Sequence, residues 1–316
     1  MLHKAAPPLV VLIPTHGRPT LLRRTLDSLA ACRLPDSFRE TVVVENGSRD
    51  GVEDVVGEIA TARPDLRLRY MHVEWGNKSH ALNEALTTIC DELVVFFDDD
   101  VRLSPGVLEA YAEAASGVES GLYYGGPFGV DYEERPAEWL TTYLPLSARG
   151  ASPENGEWVE AGWFLGFNWA AFTQDLLHVG MFDTDYGPGA PSGATGQESD
   201  MQRRLKEYGV RPGLVPGALV WHYVPKQRCT PQWVLGRKYR AGLETGLRSA
   251  EDSRSKVLWN AGRRVVRSVL TYVNGFMLRD RTKCFSAKVA LWREVGLVLS
   301  CFARWKRDLT KVALTD

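Results

Sequence analysis

No stretch of this 316-residue chain reaches the roughly 18 uncharged apolar residues that a membrane-crossing helix requires. The opening segment, MLHKAAPPLVVLIP, has a short apolar run, but it has no small-residue cleavage site and Pro14 closes it. It reads as a first β-strand and not as a signal peptide. Cysteine is sparse: Cys32, Cys90, Cys229, Cys284 and Cys301 are odd in number, scattered and without a CxxC pair. That excludes a disulfide framework and a zinc knuckle, and predicts reduced thiols in a cytoplasmic setting. The formal net charge is only −1, so the whole-chain balance points to no nucleic-acid partner. No GxxxxGK[ST] occurs and no GxGxxG follows the first apolar run, which removes the P-loop and the dinucleotide fingerprint. Internal repeats and low-complexity tracts are absent as well.

What the chain does contain is regular alternation. Short apolar runs at 9–13, 41–44, 66–73 and 93–97 alternate with helical patterns at 20–31, 52–62 and 79–89. Such alternation predicts an α/β fold with a parallel sheet and right-handed crossovers. Ligands of these sheets bind beyond the carboxyl ends of the strands. Here those ends read PTHGRP, ENGSRDG and DDD, all polar, so one shared cleft is expected. Residues 104–250 are less regular. They hold a short helix near 136–143, a glycine-rich segment at 187–196 suited to a mobile lid, a helix at 198–208 and strand character over 214–223.

The triplet Asp98-Asp99-Asp100 closes the buried run Leu93–Phe97. Crowded carboxylates repel and lose hydration at an apolar strand end. A hard divalent cation such as Mg²⁺ or Mn²⁺ relieves both penalties, and a solvated acidic turn is the plainer alternative. Thr15 offers a hydroxyl at the first strand end. Glu45 and Asn46 can hydrogen-bond the edge of a base or ribose, or simply form an Asn-Gly turn. Lys78, at a helix start, can attract phosphate or remain a solvated lysine. Glu198 and Asp200 open a helix, where acids are favoured anyway, and either can serve as a general base. His222 follows an apolar strand; it is a packed imidazole or a further metal ligand beside the aspartates. Trp139, Tyr143, Trp158, Trp163, Phe164, Phe167, Trp169 and Trp221 crowd the middle of the chain, most as core and some as platforms for sugar rings.

Charge is unevenly spread. From Arg254 to Lys311 there are 14 Lys/Arg against 3 Asp/Glu, and the rest of the chain is acidic. This basic region reads as two or three helices. Peripheral contact with an anionic membrane surface, or a homodimer contact, is expected through 254–311; packing against the rest of the chain is the alternative.

Taken in order, PTHGRP, VVENGSRDG, GNKSHALNEAL, VVFFDDDVRLSPGVL, FLGFNWAAFTQDLLHVGMFDTDYG, GQESDMQRRLKEYG and LVPGALVWHYVP resemble the family 2 inverting glycosyltransferases. The resemblance covers roughly residues 8–250. It implies an A-type glycosyltransferase fold: a Rossmann-like, mostly parallel central sheet flanked by helices, here with a C-terminal helical extension. The implied domains are a catalytic domain at 1–250 (nucleotide half about 1–103, acceptor half about 104–250) and a basic helical extension at 251–316. It further implies a nucleotide-sugar donor, with UDP-sugars favoured, and a hydroxyl-bearing acceptor such as a glycan or lipid-linked sugar. Pro14, Thr15, Arg18, Glu45, Asn46, Lys78, Asp98 and Asp99 would contact the donor. Asp98, Asp100 and His222 would hold Mn²⁺ or Mg²⁺. Glu198 would be the base, with Asp200 its rival, since Gln197 replaces the first acid of the family's usual acidic pair. The location implied is cytoplasmic, peripheral at the inner face of the cell membrane. Two other functions fit less well: a sugar nucleotidyltransferase, whose Arg/Lys-containing glycine loop PTHGRP matches poorly, and a non-catalytic carbohydrate-binding protein on the same fold.

Overall fold

The computed structural model describes residues 5–150, 162–249 and 254–312. Trp158 lies outside the described residues. The chain forms two compact units, the first comprising Met1–Asp131, Leu146–Thr184 and Gln197–Tyr223. The second comprises Tyr132–Pro145, Asp185–Gly196 and Val224–Asp316.

In the first unit, β1 (Leu9–Thr15), β2 (Phe38–Asn46), β3 (Leu68–Val73) and β4 (Leu93–Phe97) form a parallel array in the order β3-β2-β1-β4. The sheet continues through β8 (Asn168–Phe172), β6 (Leu122–Gly125) and β9 (Arg211–Leu214) to seven strands. β8 runs antiparallel to both β4 and β6. Alternation along β1 explains its unbroken apolar run. Leu9, Val11 and Ile13 enter the core on one face, and Val10 and Leu12 the core on the other. On the first face α1 (Pro19–Ala30) buries Leu22, Leu26 and Leu29, and α2 (Val52–Ala62) buries Val52, Val55, Val56 and Ile59. Helix α4 (Val107–Ala114) joins them there. The other face is covered by α3 (Lys78–Leu86), α6 (Thr173–His178) and α7 (Gln197–Tyr208). The mostly parallel sheet flanked by helices is the architecture the sequence implied.

A second sheet, in the order β5-β10-β7, is built from β5 (Val101–Leu103), β7 (Phe128–Tyr132) and β10 (Val220–Val224). Asn168 knits the two sheets together. Its Nδ2 donates to the Pro127 and Ala218 carbonyls at 3.0 and 2.8 Å, and its Oδ1 accepts from the Tyr111 hydroxyl at 2.8 Å. The strand expected over 214–223 is therefore two strands in different sheets, broken at Pro216-Gly217. The first strand also runs one residue past Pro14, which pairs in register with Val44. Of the central aromatics, Phe164, Phe167 and Trp169 are core, fewer than expected: Trp169 stacks on Phe96 with ring centroids 4.6 Å apart. Trp163 is 37% exposed with the Lys206 ammonium 4.2 Å from its ring, and Trp221 is half-buried with the Arg102 guanidinium 3.9 Å from its ring.

The second unit contains the short helix α5 (Glu138–Thr141) and three long ones, α8 (Pro231–Arg248), α9 (Arg254–Met277) and α10 (Arg281–Val312). The sequence reading placed a boundary near residue 250; in the structure α8 groups with the later helices. Close helix packing is the reason. A Cβ at Gly242 would lie 2.0 Å from the Arg293 carbonyl oxygen, so only glycine lets α8 and α10 approach this closely. Gly242→Ala is expected to lower stability by about 2 kcal/mol, the scale of an overpacked contact. An unchanged melting temperature would contradict this packing.

Candidate active site

The order β3-β2-β1-β4 reverses direction between β1 and β4, which makes a crevice at their carboxyl ends. Pairing between β1 and β4 ends at Leu12 with Phe96, so the two strands part before Thr15 and Asp98. The aspartate triplet lies at this opening. The Thr15 hydroxyl donates to Asp99 Oδ2 at 2.6 Å, and Asn46 Nδ2 donates to the Thr15 carbonyl at 2.9 Å. The ends of β1, β2 and β4 are thereby tied into one surface.

Two cations meet the triplet. Arg18, just before α1, reaches Asp99 Oδ1 at 2.5 Å and Asp100 Oδ2 at 2.9 Å. Lys78, the first residue of α3, lies 2.5 Å from Asp98 Oδ1. Asn77 caps that helix by accepting from the His80 N–H at 2.9 Å, and its Nδ2 donates to the Thr184 carbonyl at 2.9 Å. Burial works against the charge of Lys78, but Asp98 outweighs it, with help from Glu198 and Asp100, and its pKa is raised. Burial likewise opposes charge on Asp98, yet Lys78, Arg18 and His222 hold that carboxyl below its usual value. Asp99 is different: burial pushes it up to about 7, against the pull of Arg18.

The small sheet delivers His222. Its partner in register is Val101, and the Tyr223 N–H donates to the Asp100 carbonyl at 2.8 Å. The Thr25 hydroxyl fixes Val101 further, donating to its carbonyl at 2.9 Å and accepting from its N–H at 3.1 Å. The His222 ring stacks on Phe167 at 4.6 Å between centroids and 6° between planes. Nδ1 lies 2.8 Å from the Ser147 carbonyl oxygen, which can only accept, so Nδ1 carries the proton. In a neutral ring Nε2 then presents its lone pair to Asp100 Oδ1, 3.5 Å away. Two acceptors facing each other need a proton or a metal ion between them.

Glu198 and Asp200 share the first turn of α7 but not an environment. Both Asp200 oxygens are held by guanidiniums, Arg203 at 2.7 Å and Arg204 at 2.9 Å. Arg204 also donates to the Met181 carbonyl at 2.6 Å, so this acid anchors α7 to the segment after α6. Glu198 is half-buried and packs against Gly166, where a Cβ would come within 3.3 Å of its Cδ. Its charge is felt by Lys78.

Not every expected residue faces this opening. Glu45 accepts from the Asp50 N–H at 3.0 Å and from the Tyr70 hydroxyl at 2.5 Å, so its carboxylate braces the loop after β2. Pro14 is buried within β1. Sequence reasoning passed over Asn77, which orients Lys78, and named Phe167 only among the central aromatics, not as the partner of His222. Asn77 was legible as a helix N-cap; nothing local marked Phe167, because its partner is 55 positions away.

Known proteins bear on this arrangement in three ways. The family model Glycosyl transferase family 2 matches residues 10–177, a span that holds Thr15, Asn46, Lys78 and the aspartates. The succinoglycan biosynthesis protein ExoM of Rhizobium meliloti is 25% identical over 253 residues, covering 78% of this chain and 77% of its own. The validoxylamine A glucosyltransferase of Streptomyces hygroscopicus subsp. limoneus is 28% identical over 233 residues, 65% of this chain and 49% of its own. Among solved structures, the mannosyltransferase PcManGT of Pyrobaculum calidifontis, in complex with GDP-Man and Mn²⁺, has a TM-score of 0.60. It is 19% identical and covers 93% of this chain and 87% of its own, a likeness that speaks to fold alone. A family match over more than half the chain, on a fold shared with a solved glycosyltransferase, leads to one conclusion: this protein is a glycosyltransferase and belongs to glycosyl transferase family 2.

Proposed function

We propose that this enzyme moves a sugar from a nucleotide-sugar to an acceptor hydroxyl by one in-line displacement with inversion. The observation that carries the proposal is the grouping of Lys78, Arg18 and the aspartate triplet at one strand-end crevice, with Glu198 within electrostatic reach. Glu198 takes the proton of the acceptor hydroxyl as its oxygen attacks the anomeric carbon. Asp200 is engaged by Arg203 and Arg204, which leaves Glu198 the better base. Thr15 and Asn46 hold the nucleoside side of the donor. Lys78 and Arg18 are placed to exchange their aspartates for donor phosphates, where negative charge grows as the diphosphate departs.

A divalent cation fits the donor chemistry here. Among the described residues no three His, Cys, Asp or Glu side chains converge as a closed metal site. Asp100 and His222 supply two ligands, with Asp98 nearby but paired to Lys78. Few protein ligands, completed by substrate phosphates, are the usual arrangement for Mg²⁺, and Mn²⁺ also accepts imidazole. When bound, the ion would supply Lewis-acid stabilisation of the departing diphosphate.

UDP-sugars are the first donors to test, on the family resemblance. GDP-sugars come next, because PcManGT binds GDP-Man. Polysaccharide or glycoconjugate synthesis is the setting that the name of ExoM suggests. The test is donor hydrolysis over UDP-, GDP- and dTDP-sugars, with Mn²⁺ or with EDTA. Turnover of one nucleotide class, lost in EDTA, is expected. Equal turnover in EDTA would sink the metal part, and no turnover or binding of any nucleotide-sugar would sink the whole.

A further inference from the structure

The second unit carries a face that the catalytic proposal does not use. Helix α9 turns small side chains inward at seven-residue spacing: Ala261, Ser268 and Gly275 are buried. Ala261 packs with Leu297 and Cys301 of α10, and Arg264 pairs with Glu294 at 2.8 Å. The opposite side is apolar. At about 100° per residue, Trp259, Val266, Leu270, Val273 and Met277 fall within a narrow stripe directly away from the buried face. They are exposed, Trp259 by 71%, Leu270 by 64% and Met277 by 69%. Phe276 and Leu278, also exposed, flank the stripe on either side at its C-terminal end. Along one shoulder lie Lys256, Arg263 and Arg267, all exposed. Helix α9 has no Asp or Glu from Arg254 to Met277.

We infer that this face of α9 lies on an anionic lipid surface. An apolar stripe with a cationic shoulder is what seats a helix in the plane of a bilayer interface, stems in the acyl boundary and guanidiniums among headgroups. Charge decides against the self-associated alternative. Two copies of α9 packed antiparallel, stripe to stripe, would crowd their shoulders together, and in either direction neither helix offers a carboxylate to the other's cations. Trp259 suits the interfacial depth, where indoles concentrate. Among the described residues no helix is long and apolar enough to cross a membrane, so the contact is peripheral.

The test is co-sedimentation of the full chain with phosphatidylcholine vesicles, with and without phosphatidylglycerol. The protein is expected to pellet with the anionic vesicles and to stay in solution with the neutral ones. The K256Q/R263Q/R267Q variant should lose on the order of 100-fold in partition, about fivefold per cation. Leu270→Ser with Val273→Ser should lose roughly tenfold or more from the apolar term. Brominated acyl chains should quench a part of the tryptophan emission that disappears in Trp259→Phe, a readout indifferent to small changes in stability. Failure to pellet with either vesicle overturns the inference, as does equal binding by the triple variant. So does a dimer in solution that Leu270→Glu splits while vesicles are ignored. Vesicle binding requires neither nucleotide nor sugar, so its outcome is independent of the catalytic proposal.

Discussion

Glu198→Gln is expected to lower turnover by roughly 10²- to 10⁴-fold while leaving nucleotide affinity unchanged. The amide keeps the volume and cannot take a proton, so the loss isolates base catalysis. Asp200→Asn should behave differently. It removes a carboxylate that Arg203 and Arg204 both clamp, and it should cost about 2 kcal/mol of stability through weakened charged hydrogen bonds. Steady-state assays beside thermal melts separate the two acids. If Glu198→Gln turns over like the parent protein while Asp200→Asn is folded and inactive, the roles are reversed and Asp200 is the base. Gly166 supports the first assignment, because its missing side chain leaves room for the Glu198 carboxylate.

The strand ends around the crevice were legible because β1, the second half of β2 and β4 are apolar runs that stop at a polar break. β1 and β2 end at Thr15 and Asn46, β4 ends just before Asp98, and period-two burial on both faces writes such strands as continuous hydrophobic text. Less was visible where direction matters. Residues 168–172 have the same buried character whichever way they run, so the antiparallel course of β8 could not be read from them. Helix α8 was passed over although Thr230 caps it, accepting from the Trp233 N–H at 3.2 Å, with Pro231 in its first turn. Lys78 was read as a phosphate ligand from its place at a helix start. That it also neutralises Asp98, 20 residues on, follows from how α3 crosses the sheet and not from local spacing. Arg18 is the same case over 82 residues. Only side chains separate the surroundings of Glu198 and Asp200, because i+3 and i+4 arginines are common on any exposed helix and become informative once Asp200 is seen buried beneath them.

Asp100→Asn and His222→Phe are expected to abolish the metal-dependent part of nucleotide binding, on the order of 100-fold, while affinity in EDTA stays near that of the parent protein. The reasoning starts from the imidazole. Ser147 holds the proton on Nδ1, Phe167 holds the ring plane, and Nε2 is left aimed at Asp100. Phenylalanine keeps the stack on Phe167 but removes both ring nitrogens, so it also gives up the Nδ1–H bond to the Ser147 carbonyl, and thermal melts beside the titrations separate that structural cost from the loss of metal affinity. Asparagine keeps the shape of Asp100 but weakens both its attraction for a cation and its pairing with Arg18. Mn²⁺ titrations followed by electron paramagnetic resonance, with and without nucleotide, read the ion directly and not through turnover. Nucleotide should sharpen Mn²⁺ binding in the parent protein, since phosphates would complete a site for which Asp100 and His222 provide only part of the ligands. If His222→Phe binds Mn²⁺ as the parent does, the lone pair facing Asp100 is met by a proton, and His222 serves to fix the Asp100 carboxylate and not to hold a metal.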